Sequence, residues 1–135
     1  MSSFVISNKY PCFADELSKM GHKVIFSDTV KAFPQPEQAH ADMQILTINN
    51  TVFVLQECEK LKTLPYKENL IICKSKAGKK YPENILLNFL FFNNKLYGKA
   101  SAIDPTLYKY CAKNDIEIVN INQGYARCST LILNN

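Results

Sequence analysis

The sequence predicts an α/β fold assembled from repeated β-β-α-β units, and three observations carry that prediction. Two β-prone runs flank Asn49-Asn50, and a second such pair flanks Asn93-Asn94. Asparagine tolerates the positive φ of tight hairpin turns, so each pair reads as a hairpin. After each hairpin come an amphipathic stretch and an apolar run. A third apolar run, residues 128–133, leads into Asn134-Asn135, so the Asn-Asn pairs stand 44 and 41 residues apart. A period of that length marks a repeat architecture, in which neighbouring units bury one another's faces.

The elements follow in order. Phe4-Val5-Ile6 reads as a strand. Residues 13–20 read as a helix with Phe13, Leu17 and Met20 on one apolar face, closed by Gly21. His22-Lys23-Val24-Ile25-Phe26 is the next strand, and Pro34 and Pro36 make residues 31–38 a loop. The first hairpin covers residues 43–48 and 51–55. A short helix over residues 58–64, with Leu61 and Leu64 inward, stops at Pro65, and residues 70–73 form a buried strand. The second unit repeats the order. It has a strand over residues 87–92, a return over 95–98, and a helix capped by Asp104 with Pro105 in its first position. Leu107, Tyr108, Tyr110 and Cys111 form that helix's apolar face, Asn114 ends it, and residues 116–119 are the closing strand. The expected organisation is one domain over residues 1–135. It holds a partial unit over 1–39, units over 40–79 and 80–122, and a partial unit over 123–135.

Composition narrows the function classes. With 135 residues and 47% hydrophobic content the chain can build a real core. No apolar run approaches the roughly 20 residues of a membrane helix, and Met1-Ser2-Ser3-Phe4 lacks the pattern of a signal peptide. Five cysteines, Cys12, Cys58, Cys73, Cys111 and Cys128, show no Cys-x-x-Cys spacing. They are expected to be reduced, with Cys73 and Cys111 as small core residues in a cytosolic protein. No metal or organic cofactor is implied by the spacing. The net charge of +4 is mild. Its one concentration, Lys74, Lys76, Lys79 and Lys80, reads as a solvated loop, and no aromatics interleave with it as a nucleic-acid platform requires.

Candidate site residues fall in two places. His40 and Asp42 lie before the first hairpin. In an extended segment they share a face, where a carboxylate can orient an imidazole or grip a guanidinium. The simpler alternative has Asp42 bonding loop amides and His40 exposed. The second place is Gln123-Gly124-Tyr125-Ala126-Arg127-Cys128-Ser129, a dense polar-aromatic cluster that reads either as a pocket wall or as a connector. Arg127 would lower the Cys128 pKa only if both pointed to one face, which strand neighbours do not.

His40-Ala41-Asp42-Met43, Lys80-Tyr81-Pro82-Glu83-Asn84-Ile85 and Ile121-Asn122-Gln123-Gly124-Tyr125-Ala126-Arg127-Cys128-Ser129, each ahead of an apolar run, resemble a bacterial family assigned to the pentein, or guanidino-group-modifying-enzyme, fold. The resemblance runs from about His40 onward. It implies β-β-α-β units around a central channel. In the superfamily's enzymes an acidic residue there holds the guanidinium, a histidine moves protons, and a cysteine of the last of five units attacks the central carbon. This sequence holds about three units, and Cys128 precedes a hairpin instead of occupying that nucleophile position. The expectation is therefore a pentein-like, non-catalytic binding or assembly module for a small guanidinium-type cation. The alternative is part of a hydrolase or transferase acting on a guanidine or amidine group. His40, Asp42, Gln123, Tyr125, Arg127 and Cys128 are the candidate ligand-binding residues. The run over residues 128–133 is expected to be a strand that either closes a monomer against Phe4-Val5-Ile6 or leaves open edges that pair in a homodimer.

Overall fold

The structure, a computed structural model, describes residues 1–133. It is a small mixed α/β protein, with three α-helices and three small sheets among the described residues. The first sheet pairs β1 (Ser3–Ile6) with β2 (Lys23–Phe26) in parallel, across helix α1 (Pro11–Lys19). A helical turn, α2 (Ala41–Gln44), leads into β3 (Ile45–Ile48), which pairs antiparallel with β4 (Thr51–Val54). β5 (Asn69–Ile72) then joins β4 in parallel. The third sheet has the same order and senses. β6 (Leu90–Phe92) is antiparallel to β7 (Lys95–Gly98), and β8 (Glu117–Asn120), reached through α3 (Pro105–Lys113), is parallel to β7.

Local chemistry explains most boundaries. Asn49, Asn93 and Asn94 hold positive φ of 52°, 49° and 57° in the two hairpin turns. Asp104, fully buried, accepts a hydrogen bond from the Thr106 amide at 2.8 Å and one from the Ser75 amide at 2.6 Å. It thus caps α3 and anchors the chain leaving β5 in one step. Gly21 sits at φ 83° just past α1, a conformation that costs glycine nothing. The core is built around Phe33, Met43, Phe53, Leu61, Leu87, Phe89 and Leu107, from strands, helices and the connections between them. Buried Gln44 ties the long 28–38 connection to it. Its amide oxygen accepts from the Asp28 amide at 2.9 Å, and its amide nitrogen donates to the carbonyls of Asp28 and Gln38 at 2.7 and 3.0 Å.

Several expectations are corrected. The segment from Cys58 to Leu64 holds only a 3₁₀ turn, Leu61–Thr63, because Pro65 leaves no room for a longer helix and the Asp28 carboxylate already caps the Lys60 and Leu61 amides. Leu61 is buried and Leu64 half-buried. The strand expected over 87–92 is regular only from Leu90, since Leu87 and Asn88 lie in tight turns that turn both side chains inward. On α1 only Ala14 is buried, while Phe13 and Met20 are exposed, because a two-stranded sheet is too narrow to cover the helix face. Tyr108 on α3 points outward for want of a facing layer. Residues 128–133 are not a strand: a turn over 126–129, held by a Thr130 side chain to Ala126 carbonyl bond of 2.7 Å, gives way to irregular chain. Strand closure against β1 is thus not made in this arrangement. The third Asn-Asn pair lies outside the described residues. All four lysines around Gly78 are exposed, as a solvated loop requires. None of the five cysteines is disulfide-bonded, and Cys58, Cys73 and Cys111 are buried.

Candidate functional site

Two segments, residues 37–43 and residues 125–128, meet at one pocket, and Asn84 and Asn88 of a third bond to the side chains that line it. The pocket has a volume of about 560 Å³ and is lined by Ser7, Glu37, His40, Asp42, Tyr125 and Cys128 over an apolar floor.

One wall is a carboxylate–amide–phenol group. Asn84, buried in its turn, donates to Glu37 Oε2 and to the Tyr125 hydroxyl, each at 2.7 Å, and that hydroxyl donates to Glu37 Oε1 at 3.0 Å. Burial, against the bond from Asn84, moves the Tyr125 phenol above its ordinary pKa, and the Glu37 carboxylate adds to the rise, so it stays a donor. The Asn84 side-chain oxygen is buried with no partner. The opposite wall centres on Asp42. Its Oδ2 accepts from Asn88 at 3.0 Å and from the Cys128 thiol at 2.5 Å. Asn88 also donates to Cys128 Sγ at 2.9 Å and accepts from the Arg127 amide at 2.9 Å, which fixes the C-terminal turn to the turn that precedes β6. Burial first, and then the Asp42 carboxylate, push the Cys128 pKa up to about 11. The thiol therefore keeps its proton at neutral pH and acts as a hydrogen-bond donor.

The six candidates from the sequence separate. His40, Asp42, Tyr125 and Cys128 line the one pocket. Asp42 and His40 do not share an extended face, since Asp42 lies within α2 and His40 is its exposed N-cap with no capping bond from its side chain. Asp42 bonds side chains instead of the loop amides. Arg127 lies behind the pocket. Its Nη2 donates to the Asp42 carbonyl and, at 2.7 Å, to the Ile45 carbonyl, while Nε is buried without a partner. Burial lowers its pKa from the ordinary arginine range, against the pull of Asp42. Gln123 is exposed, its side chain spent on the Tyr125 amide at 3.1 Å, and it takes no part in the pocket. Three residues were missed: Glu37, Asn84 and Asn88. The signal for the two asparagines was present, because Asn84 and Asn88 stand 44 residues after His40 and Gln44, the same spacing as the hairpin turns. Glu37 lies in the proline-rich loop and carried no signal.

Fold and pocket together define a small mixed α/β protein with two carboxylates and a protonated thiol facing one pocket. Residues 5–135 match a protein family described as "Family of unknown function (DUF6873)", and the chain belongs to that family. No curated protein and no solved structure matches it significantly. No helix among the described residues is long and apolar enough to cross a membrane, and no group of three or more His, Cys, Asp or Glu side chains among them is placed to hold a metal ion.

Proposed function

We propose that this protein is a non-catalytic binding module that takes a small organic cation of the guanidinium type in the pocket between Glu37 and Asp42. The observation that carries the reading is charge. Both carboxylates open onto one pocket whose lining contains no lysine or arginine, and among the described residues neither forms a salt bridge, although the Arg127 guanidinium behind the pocket lies within the pull of Asp42. A carboxylate left in a partly dehydrated pocket favours a cationic guest. A guanidinium offers the paired N–H donors that carboxylates accept. The unpartnered Asn84 oxygen is a further acceptor close behind.

Catalysis by Cys128 fits less well. A thiol held protonated by burial and by a carboxylate is the reverse of an activated nucleophile, which needs a cation or a base beside it. The shared order and senses of the two three-stranded sheets, with the parallel β1–β2 pair as a partial third copy, support a pentein-like reading of the architecture. The unpaired cysteines favour a reducing, cytosolic setting.

Thermal unfolding with methylguanidinium, against sodium chloride at matched ionic strength, tests the binding. A binder raises the melting temperature with the logarithm of its concentration. Glu37→Gln and Asp42→Asn keep most of the side-chain shape and remove charge. Each should weaken binding about 10- to 100-fold, the usual worth of a charged hydrogen bond. A flat response from the folded wild-type protein sinks the proposal.

A further inference from the structure

The outer edge of β1 is an unfilled strand site. The Lys23 amide donates to the Ser2 carbonyl, and the Ser27 amide to the Ile6 carbonyl. The even-numbered residues of β1 therefore face β2, and the N–H and C=O groups of Ser3 and Val5 face away from it. Among the described residues only β2 pairs with β1. Two hollows that share Val5, Ile45 and Arg127 lie along this open edge and make one groove, with Ser7 and Phe13 at one end and Ser3, Leu90 and Phe91 at the other. In the other two sheets the same edge is occupied. The amides of Asn69 and Cys73 donate to the carbonyls of Asn50 and Val54, so Thr51 and Phe53 of β4 face β3, as Ser3 and Val5 face the groove.

We infer that this groove takes the chain's own residues 130–133 as an antiparallel strand. Four facts converge on that occupant. The run Thr130-Leu131-Ile132-Leu133 precedes an Asn-Asn pair, as β3 and β6 do. Cys128 and Ser7 line the same pocket, so the tail starts at the Ser7 end of β1 and can follow the edge only by running antiparallel. Four extended residues span about 13 Å, the length of β1.

The fourth fact is burial. In the two hairpins the residue before Asn-Asn pairs with the first residue of the next strand, Ile48 with Thr51 and Phe92 with Lys95. The equivalent register sets Leu133 opposite Ser3, Leu131 opposite Val5 and Ile132 opposite Phe4. On β3 the positions matching Leu131 and Leu133 are Leu46 and Ile48, both buried, and the one matching Ile132 is exposed Thr47. Leu131 and Leu133 now stand 81% and 78% exposed. Docking buries these two leucines, satisfies Ser3 and Val5, and widens the sheet over Phe13, which lines the groove. A tethered strand has a high effective concentration at its own edge, which favours its own chain over a second copy.

Amide exchange measured residue by residue, with sedimentation to fix the oligomeric state, tests this on the full chain. In the wild-type monomer the Val5 amide should exchange at least about tenfold more slowly than an unstructured one. Leu131→Asp with Leu133→Asp should abolish that protection and leave Val52 protected, while Ile132→Asp should preserve it. Three results overturn the inference: an unprotected Val5 in the wild type, equal damage from Ile132→Asp, or protection that appears only in a dimer, which would make a second copy the occupant.

Discussion

At the scale of single residues, the pocket is set by whom each polar group meets. Cys128 is exposed enough to be modified, yet its proton is held by burial and by Asp42, which move its pKa from 9.0 to about 11. A rise in that direction lowers the thiolate fraction at neutral pH, and the thiolate is the form that reacts. Iodoacetamide labelling at pH 7, followed by peptide mapping, should therefore mark exposed Cys12 well before Cys128. Labelling of Cys128 should climb steadily as pH is raised toward 11. Asp42→Asn removes the carboxylate's share of the shift and should accelerate labelling of Cys128. Equal rates for Cys12 and Cys128 in the wild type would contradict the geometry of the pair.

At the scale of elements, the hairpin turns decide where strands begin and which faces they bury. Asn93 and Asn94 both hold left-handed φ, the combination that a two-residue turn between twisted antiparallel strands needs. Replacing Asn93 by alanine should cost about 1 kcal/mol, the strain of an ordinary side chain in that region, whereas glycine should be close to neutral. Urea unfolding of the two variants reads the difference directly, and an alanine variant as stable as the glycine one would refute the assignment. Legibility followed the same line. The runs around Asn49-Asn50 and Asn93-Asn94, and those bounded by Asp104-Pro105 or Gly21, lie within a few residues of their expected places, because the bounding residue imposes a backbone conformation by itself, whereas the run over residues 128–133 ahead of the third Asn-Asn pair forms no strand. The stretch around Cys58 and the start of β6 were drawn too long, because apolar residues in tight turns carry the same composition as those in a helix or strand.

Across the whole molecule, the pocket depends on the C-terminal turn packing against Tyr81, Ile85 and Asn88. Gly124 makes that approach possible: a Cβ there would overlap the Tyr81 ring and Ile85. Gly124→Ala should cost about 1–3 kcal/mol of stability, as overpacking does, and should also weaken methylguanidinium binding, because Tyr125 and Cys128 hang from the displaced turn. Gly21→Ala is the matched comparison. A Cβ there meets open space, so its effect is confined to the left-handed φ of 83° and binding should be unchanged. Calorimetric titration of both variants separates the two cases, and wild-type affinity in the Gly124 variant would detach the turn from the pocket.

The sequence by itself determined the α/β class, the hairpins, the capped α3, and the placing of Cys73 and Cys111 in the core, since periodicity and turn chemistry act through neighbours a few residues apart. It also brought forward His40, Asp42, Tyr125 and Cys128, because polar groups clustered ahead of an apolar run are conspicuous in one dimension. Folding alone brings Glu37 into the pocket wall, leaves Gln123 outside it, and turns Arg127 onto backbone carbonyls behind it. Those outcomes rest on contacts between segments 40 to 90 residues apart, such as Glu37 with Tyr125, and on burial that raises the Cys128 pKa where an adjacent arginine alone would lower it. Neither long-range contact nor desolvation has a local signature in the chain.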